Sequence, residues 1–132
     1  MKTVYVDGVF DLFHAGHINF LKKAKSLGDF LIVGIISDED VESYKRKPVV
    51  FFNDRLSVLQ ECKLIDKIIS KSPLFIKEKF ILDNNIDIVV HGNDSPQTDF
   101  FKIPIEKDIM KYVDYTKHIS TTILINRIKN YY

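Results

Sequence analysis

Short apolar runs alternate with longer segments of helical periodicity along this chain. Three runs rich in β-branched residues predict strands buried in a sheet: TVYVDG, FLIVGIIS and IDIVVHGND. Between the first two runs, Ile18, Leu21, Ala24 and Leu27 follow a helical spacing, and Gly28 predicts where that helix ends.

The remaining segments continue this alternation. The runs DKIISKSP and YVDYT predict two further strands, and the basic stretch ESYKRKPVVFF, which contains Pro48, predicts a loop. Helices are predicted over NDRLSVLQECKLI, LFIKEKFILDNN, IEKDIMKY and STTILINRIKNYY, the last with Ser120 as its N-cap. The pattern predicts an α/β fold, a Rossmann-like, doubly wound five-stranded parallel sheet, in a single domain over residues 1–132.

Composition narrows the class of protein. Hydrophobic residues make up 45% and charged residues 28% of the chain, which is typical of globular proteins. The net charge of +1 predicts neither a nucleic-acid partner nor a membrane surface. No apolar run approaches the roughly 20 residues of a membrane span. The start MKTVYVDG predicts no signal peptide, and the lone Cys62 fits a reducing compartment, so we predict a cytoplasmic protein.

The segment GVFDLFHAGH follows the first predicted strand. His14 and His17 lie three positions apart at a predicted helix start, where free backbone N–H groups and the helix dipole favour phosphate. Gly8 and Gly16 would let the backbone approach an anion closely. Three interpretations remain open at this point: structural histidines, a metal pair with Asp11 that no further Cys or His cluster supports, and a phosphate site.

Cations and capping residues recur at the other predicted strand ends. They are Lys45, Arg46 and Lys47 after the second strand, Lys71 and Lys77 after the third, His91, Asn93 and Asp94 after the fourth, and Lys117, His118 and Ser120 after the fifth. Ligands of doubly wound sheets bind at the carboxyl ends of the strands. Because the whole chain is nearly neutral, this concentration of cations indicates a polyanionic ligand.

GVFDLFHAGH together with the downstream ISTT resembles the cytidylyltransferase family, whose patterns are GxFDxxHxGH and RTEGIST. The resemblance runs from Val4 to about Arg127. It implies the Rossmann-like fold, a homodimer, and transfer of CMP from CTP to a small phosphorylated alcohol, with Mg²⁺ accompanying CTP. ATP-using adenylyltransferases that act on sugar phosphates share the first motif.

The resemblance also implies a role for each matching residue. As catalytic residues, His14 and His17 would contact the triphosphate and its transition state, and Lys45 or Lys47 would bridge CTP and the acceptor phosphate. The implied nucleotide-binding residues are Val9, Phe10, Gly16, Asp94, Thr116, Lys117, Ile119, Ser120, Thr121 and Thr122. The implied acceptor-binding residues are Asp11, Lys45, Arg55 and Lys77, and no protein metal ligand is implied.

One departure from the family pattern concerns the nucleotide. Tyr115 stands where the family has the arginine of RTEG, a residue that meets the CTP phosphates. We expect Lys117 to supply that charge, although a lysine lacks the two-pronged geometry of a guanidinium.

The acceptor is predicted from weaker similarities. Lys63 and the segment VHGND resemble phosphoethanolamine enzymes, whereas the chain length and Lys77 resemble glycerol-3-phosphate enzymes. Phosphocholine is disfavoured because a quaternary ammonium favours an aromatic cage and Leu74 stands at the family's aromatic position. We predict phosphoethanolamine. The alternatives are glycerol-3-phosphate, an adenylyltransferase acting on a sugar phosphate, and a catalytically weak homologue that only binds nucleotide.

Overall fold

The alternation of apolar and amphipathic segments produces a layered α/β structure. A computed structural model describes residues 1–93 and 99–132. In these ranges the strands are β1 (Thr3–Gly8), β2 (Phe30–Ile35), β3 (Lys67–Ser70), β4 (Ile88–Gly92) and β5 (Met110–Val113). The helices are α1 (Ala15–Lys25), α2 (Asp38–Tyr44), α3 (Phe52–Gln60), α4 (Glu78–Asp83), α5 (Lys102–Glu106) and α6 (Thr121–Tyr131).

The five strands form one parallel sheet in the order β3-β2-β1-β4-β5, which confirms the predicted fold. The chain builds outward from β1 in one direction through β2 and β3, and then in the other through β4 and β5. The strand order therefore reverses between β1 and β4. A crevice opens at the carboxyl ends of two strands where the order reverses in this way.

The sheet is buried on both faces. Val4 and Val6 of β1 pack into one apolar cluster with residues of α1 and α3, whereas Tyr5 packs on the opposite face with Ile81 of α4 and Phe101. Burial of alternate residues on both sides explains why the central strands appear in the sequence as continuous apolar runs.

Gly34 in β2 is required by close packing. A Cβ atom at this position would lie 2.3 Å from Tyr5 Oη and 2.6 Å from Ser72 Oγ. Both hydroxyl groups are buried, and neither has a hydrogen-bond partner among the residues that the structure describes. Tyr5 and Ser72 therefore fill the space that a side chain at residue 34 would occupy.

The helix α2 was missed by the sequence prediction, which assigned Glu42 to Tyr44 to a loop. Ser37 caps this helix by accepting a hydrogen bond from the Asp40 N–H at 3.2 Å. Its first turn is acidic, which favours the positive end of the helix dipole.

Two other predicted boundaries were wrong. Helix α1 ends at Lys25, and Gly28 serves close packing instead, since a Cβ there would lie 2.6 Å from Val4 Cγ2. The helix predicted over IEKDIMKY is replaced by the earlier α5 and by β5, because Met110 pairs with Val89 in the sheet. None of the helices in the described ranges is long and apolar enough to cross a membrane.

Candidate active site

A cavity of about 300 Å³ lies at the carboxyl ends of β1 and β4, where the strand order reverses. The first turns of α1 and α6 both border it, through His14 and Gly16 on one side and Ser120 and Thr121 on the other. Two helix N-termini thus face one cavity, and each favours an anion.

The two histidines of HAGH form a reciprocal cap on α1. His14 Nδ1 accepts a hydrogen bond from the Gly16 N–H at 3.0 Å, and His17 Nδ1 accepts one from the His14 N–H at 3.1 Å. Because a backbone N–H only donates, each Nδ1 must keep its lone pair. The neutral rings therefore carry their proton on Nε2, which leaves each Nε2–H as a donor on the ring edge opposite the cap.

Their surroundings keep both rings neutral. Burial lowers the pKa of His14, and burial followed by the neighbouring His14 lowers the pKa of His17 to about 3. The two rings stack with centroids 3.8 Å apart, and His17 also stacks on Phe13 at 5.4 Å. The pair is therefore a rigid set of neutral hydrogen-bond donors at neutral pH.

Gly16 and Thr121 bring the two helix ends together. A Cβ at residue 16 would lie 2.8 Å from His14 Cε1 and 3.4 Å from the Ile119 carbonyl oxygen, so glycine permits the close approach. Thr121 Oγ1 donates to the Asp11 carbonyl at 2.9 Å and lies 3.4 Å from His14 Nε2. Ser120 caps α6 by accepting from the Ile123 N–H at 3.1 Å.

The turn between β1 and α1 is strained and is held in place by Asp11. Phe10 and Leu12 have φ of 54° and 50°, in the left-handed region that non-glycine residues seldom adopt. Asp11 lies between them, is 3% exposed, and accepts the N–H groups of Val49 and Val50 at 2.8 Å each. This carboxylate thus ties the strained turn to the loop between α2 and α3.

Arg55 is a second buried residue that holds this loop in place. It is 2% exposed and donates to three carbonyl groups, those of Val9, Ile36 and Val50, as well as to the Asp38 carboxylate at 2.6 Å. The ends of β1 and β2, the loop and α2 therefore meet at one guanidinium group.

A second cavity of about 140 Å³ adjoins the first. Both cavities are bordered by Asp7, Gly8, Val9, Lys45 and His91. The smaller one is completed mainly by apolar and aromatic side chains: Ile36, Tyr44, Leu74, Phe100 and Phe101. The ring of Phe100 lies edge-on to Tyr44, with centroids 5.3 Å apart.

Asp7 is the acidic side chain bordering this smaller cavity among the described residues. Burial raises the pKa of Asp7 to about 7, and burial together with the charge of Asp7 raises the pKa of Tyr44 to about 12. Desolvation of this kind disfavours the ionised carboxylate, and a positive charge nearby would offset it.

His91 has the opposite hydrogen-bonding arrangement from the two capping histidines. Its Nδ1 lies 2.7 Å from the Gly92 carbonyl oxygen, which can only accept, so the proton resides on Nδ1. Nε2 of His91 then carries the lone pair when the ring is neutral. The described residues around the two cavities therefore include one imidazole acceptor, Nε2 of His91, and two imidazole donors, the Nε2–H groups of His14 and His17.

Comparison with known proteins assigns the family. A family model described as cytidylyltransferase-like matches residues 5–127. The chain belongs to the cytidylyltransferase-like family. The resemblance of GVFDLFHAGH and ISTT to that family is thereby confirmed.

Individual relatives fall into two groups by length. An ethanolamine-phosphate cytidylyltransferase of Arabidopsis thaliana is 34% identical over 96% of this chain, but the match covers 32% of that protein. The chain therefore spans about a third of the length of this relative. A glycerol-3-phosphate cytidylyltransferase of Bacillus subtilis is 37% identical, and the match covers 92% of this chain and 93% of that protein.

A solved structure supports the fold. The lipopolysaccharide core biosynthesis protein from Thermoplasma volcanium aligns with a TM-score of 0.72 at 29% identity, over 90% of this chain and 99% of that one.

Most residues that the cytidylyltransferase resemblance singled out lie around the larger cavity. They are Val9, Phe10, Asp11, His14, Gly16, His17, Lys45, Thr116, Ile119, Ser120, Thr121 and Thr122. Lys47, Arg55, Lys77 and Lys117 do not border it, and Asp94 lies outside the described residues.

The structure argues against two of the predicted acceptor contacts. Asp11 borders the cavity, but both of its carboxylate oxygens already accept backbone N–H groups. The guanidinium of Arg55 is buried and bonded to four protein oxygens. In this structure both residues hold the loop in place through these hydrogen bonds. The position of Lys117, exposed and away from the cavity, likewise gives no support to its predicted replacement of the missing arginine.

Sequence reasoning assigned no role to Asp7 or Tyr44, and it named Arg46 only as one of the cations at the strand ends. Asp7 immediately precedes the glycine at the end of β1, just as His91 precedes the glycine at the end of β4. A polar residue followed by glycine at two strand ends was therefore the signal available for Asp7.

Proposed function

We propose that this protein transfers CMP from CTP to the phosphate group of phosphoethanolamine, which forms CDP-ethanolamine and releases pyrophosphate. The observation that carries the proposal is the pair of adjoining cavities. The larger has two fixed imidazole donors and two helix N-termini, which suit a triphosphate. The smaller has a carboxylate and aromatic walls, which suit a cationic acceptor.

Asp7 supports the choice of an amino alcohol. An ammonium group beside this carboxylate would offset the desolvation that raises the pKa of Asp7 to about 7. The hydroxyl groups of glycerol-3-phosphate would bring no positive charge to the carboxylate. Phosphoethanolamine therefore suits the smaller cavity better.

The sequence argument against phosphocholine is weakened by the same cavity. Leu74 is one of its walls, but Tyr44, Phe100 and Phe101 surround the space with aromatic rings from other segments. The volume of about 140 Å³ favours the smaller ammonium head group. Phosphocholine accordingly belongs among the acceptors to be tested.

The reaction requires positioning and charge stabilisation. The acceptor is a phosphate monoester whose second pKa is about 6, so it is an anion at neutral pH and needs no general base. One of its oxygens attacks the α-phosphorus of CTP in line, the bond from that phosphorus to the bridging oxygen breaks, and pyrophosphate leaves. The Nε2–H groups of His14 and His17 would donate to the phosphate oxygens as negative charge shifts, with Lys45 between the two anions.

Mg²⁺ completes the proposal as the counter-ion of the triphosphate and pyrophosphate. Among the residues that the structure describes, no group of three or more His, Cys, Asp or Glu side chains is placed to hold a metal ion. We therefore propose that Mg²⁺ arrives bound to CTP. A homodimer and a cytoplasmic location are further parts of the proposal, to be measured by analytical ultracentrifugation and cell fractionation.

Glycerol-3-phosphate is the second candidate acceptor. The observation that favours it is the match to the B. subtilis relative over 93% of that protein's length, since the ethanolamine-phosphate relative is about three times longer than the matched segment. An ATP-using enzyme and a weak nucleotide-binding homologue are the remaining alternatives, the latter because Tyr115 stands in place of an arginine.

Pyrophosphate release tests all of these proposals together. CTP and ATP are each combined with phosphoethanolamine, phosphocholine, glycerol-3-phosphate and a sugar phosphate in the presence of Mg²⁺. The proposal expects the highest kcat/KM for CTP with phosphoethanolamine. A preference for glycerol-3-phosphate or for ATP would replace it with the corresponding alternative, and CTP binding without pyrophosphate release would favour the weak homologue.

A further inference from the structure

The larger cavity contains few cationic side chains for a ligand with several negative charges. His14 and His17 are neutral, because burial lowers both of their pKa values. Among the described residues that border the cavity, the lysine and arginine side chains are Lys45 and Arg46. The charge of a triphosphate must therefore be matched largely by these two residues, by the helix N-termini and by bound cations.

The guanidinium of Arg46 is held weakly by the protein itself. Among the described residues its acidic partner is Asp11, with Nη1 3.8 Å from Oδ2, and its side chain is 40% exposed. Both oxygens of Asp11 already accept backbone N–H groups at 2.8 Å. The ion pair is thus long and not bidentate, which leaves the two-pronged face of the guanidinium available to a phosphate.

The location of Arg46 indicates which phosphates it meets. Lys45 borders both cavities and so lies where the α-phosphorus and the acceptor would react, whereas Arg46 borders the larger cavity alone. In an in-line reaction the leaving pyrophosphate lies on the side of the α-phosphorus opposite the acceptor. A residue such as Arg46, which borders the larger cavity but not the acceptor cavity, is therefore placed toward the β- and γ-phosphates. Resting on the proposed function, we propose that Arg46 binds the β- and γ-phosphates of the nucleotide and remains with pyrophosphate as it departs.

Arg127 provides a matched control. It is an exposed arginine on α6 that borders neither cavity. Its replacement by alanine removes the same charge and the same functional group without removing a group from the proposed phosphate site.

Calorimetric titration of CTP, CMP and inorganic pyrophosphate into the wild type, Arg46→Ala, Arg46→Lys and Arg127→Ala tests the proposal. Arg46→Ala should weaken CTP and pyrophosphate binding roughly 10- to 100-fold, the usual effect of losing hydrogen bonds to a charged group. CMP binding should be unchanged, because CMP lacks the two outer phosphates. Arg46→Lys should restore part of the affinity, and Arg127→Ala should bind all three ligands as the wild type does.

Steady-state kinetics adds a second readout. Arg46→Ala should raise the KM for CTP while the KM for phosphoethanolamine stays the same, and its thermal unfolding midpoint should match that of the wild type. An equal loss of CMP and CTP affinity, or equal effects of Arg46→Ala and Arg127→Ala, would overturn the assignment to the outer phosphates.

The outcomes separate this inference from the proposed function. If the wild type releases pyrophosphate from CTP but Arg46→Ala binds pyrophosphate normally, the inference is wrong and the function stands. If no acceptor is used but Arg46→Ala still loses pyrophosphate affinity, the phosphate site stands and the function is wrong. Failure of the wild type to bind CTP and pyrophosphate would overturn both.

Discussion

Asp7→Asn removes one negative charge from the wall between the two cavities and keeps the size of the side chain. Burial raises the pKa of Asp7 to about 7 in the folded protein, whereas an unfolded chain has an aspartate pKa of about 3.9. The folded state therefore holds this proton more tightly. Below about pH 4 both states are protonated and the carboxyl has no effect on stability. Stability is then lost as the pH rises from about 4 to about 7.

The magnitude follows from the difference between the two pKa values. About 3 pKa units correspond to a ceiling of about 4 kcal/mol at 1.36 kcal/mol per unit. Asp7 is only partly buried, so solvent screening lowers this ceiling. We expect Asp7→Asn to raise the free energy of unfolding by about 1–2 kcal/mol at pH 8 and to leave it unchanged at pH 4.

The same substitution should reduce activity toward a cationic acceptor. Loss of the carboxylate removes the proposed partner of the ammonium group, and kcat/KM for phosphoethanolamine should fall roughly 10- to 100-fold. Glycerol-3-phosphate lacks that group, so its kcat/KM should change little. Because both acceptors carry a phosphate that titrates near pH 6, their comparison cancels the titration of the substrate.

Urea denaturation at pH 4 and pH 8 measures the stability effect, with Asp83→Asn as the control. Asp83 is exposed on α4 and pairs with Lys79 at 2.6 Å, so its removal should change stability by less than about 0.5 kcal/mol at either pH. An Asp7→Asn effect that is the same at both pH values would refute the assigned desolvation. An equal loss of kcat/KM for both acceptors would refute the ammonium subsite.

Substitutions at three further positions, His14, Arg55 and Gly34, test the geometry of the site and its support. His14→Asn keeps an acceptor for the Gly16 N–H but lacks Nε2–H, so kcat should fall roughly 10²–10³-fold while stability stays unchanged. His14→Ala removes the cap as well, so it should also lose about 1 kcal/mol of unfolding free energy. Arg55→Lys cannot reach four acceptors and should destabilise the protein by about 3 kcal/mol in urea denaturation. Gly34→Ala should cost about 1–3 kcal/mol, and a Tyr5→Phe background should recover part of it; purely additive effects would show that the Tyr5 hydroxyl is not the obstacle.

Local patterns in the sequence were sufficient to predict the sheet and the position of HAGH. The continuous apolar runs of β1, β2 and β4 reflect burial on both faces, which any parallel arrangement with flanking helices requires. His14 and His17 lie within one helical turn, so their shared location needed no tertiary information. The cap of α2 was an equally local signal, since Ser37 is followed by three acidic residues. The prediction missed this helix because it assigned the last turn to the basic loop that follows.

Tertiary contacts determined the rest. Arg55 lies in a short polar stretch, which resembles the setting of a substrate ligand. The carbonyl groups that accept its hydrogen bonds belong to the residues just after β1 and β2 and to the loop after α2. The smaller cavity combines Asp7, Tyr44, Leu74 and Phe100, which are far apart in the chain. No spacing rule connects such residues, so only the folded arrangement reveals that a carboxylate faces aromatic rings.

The distribution of protons suits the proposed function, in which a nearly neutral chain would hold two anions side by side. If His14 and His17 were cationic, they would repel each other at a centroid separation of 3.8 Å and lose the backbone hydrogen bonds that fix their orientation. As neutral donors they keep the cap and still offer Nε2–H to a phosphate oxygen. Fixed dipoles of this kind need no reorganisation when charge moves from the attacking oxygen to the leaving group. In the proposed function, full positive charge would then come from Lys45 between the anions, from Arg46 toward the phosphates that leave, and from the Mg²⁺ that accompanies the nucleotide.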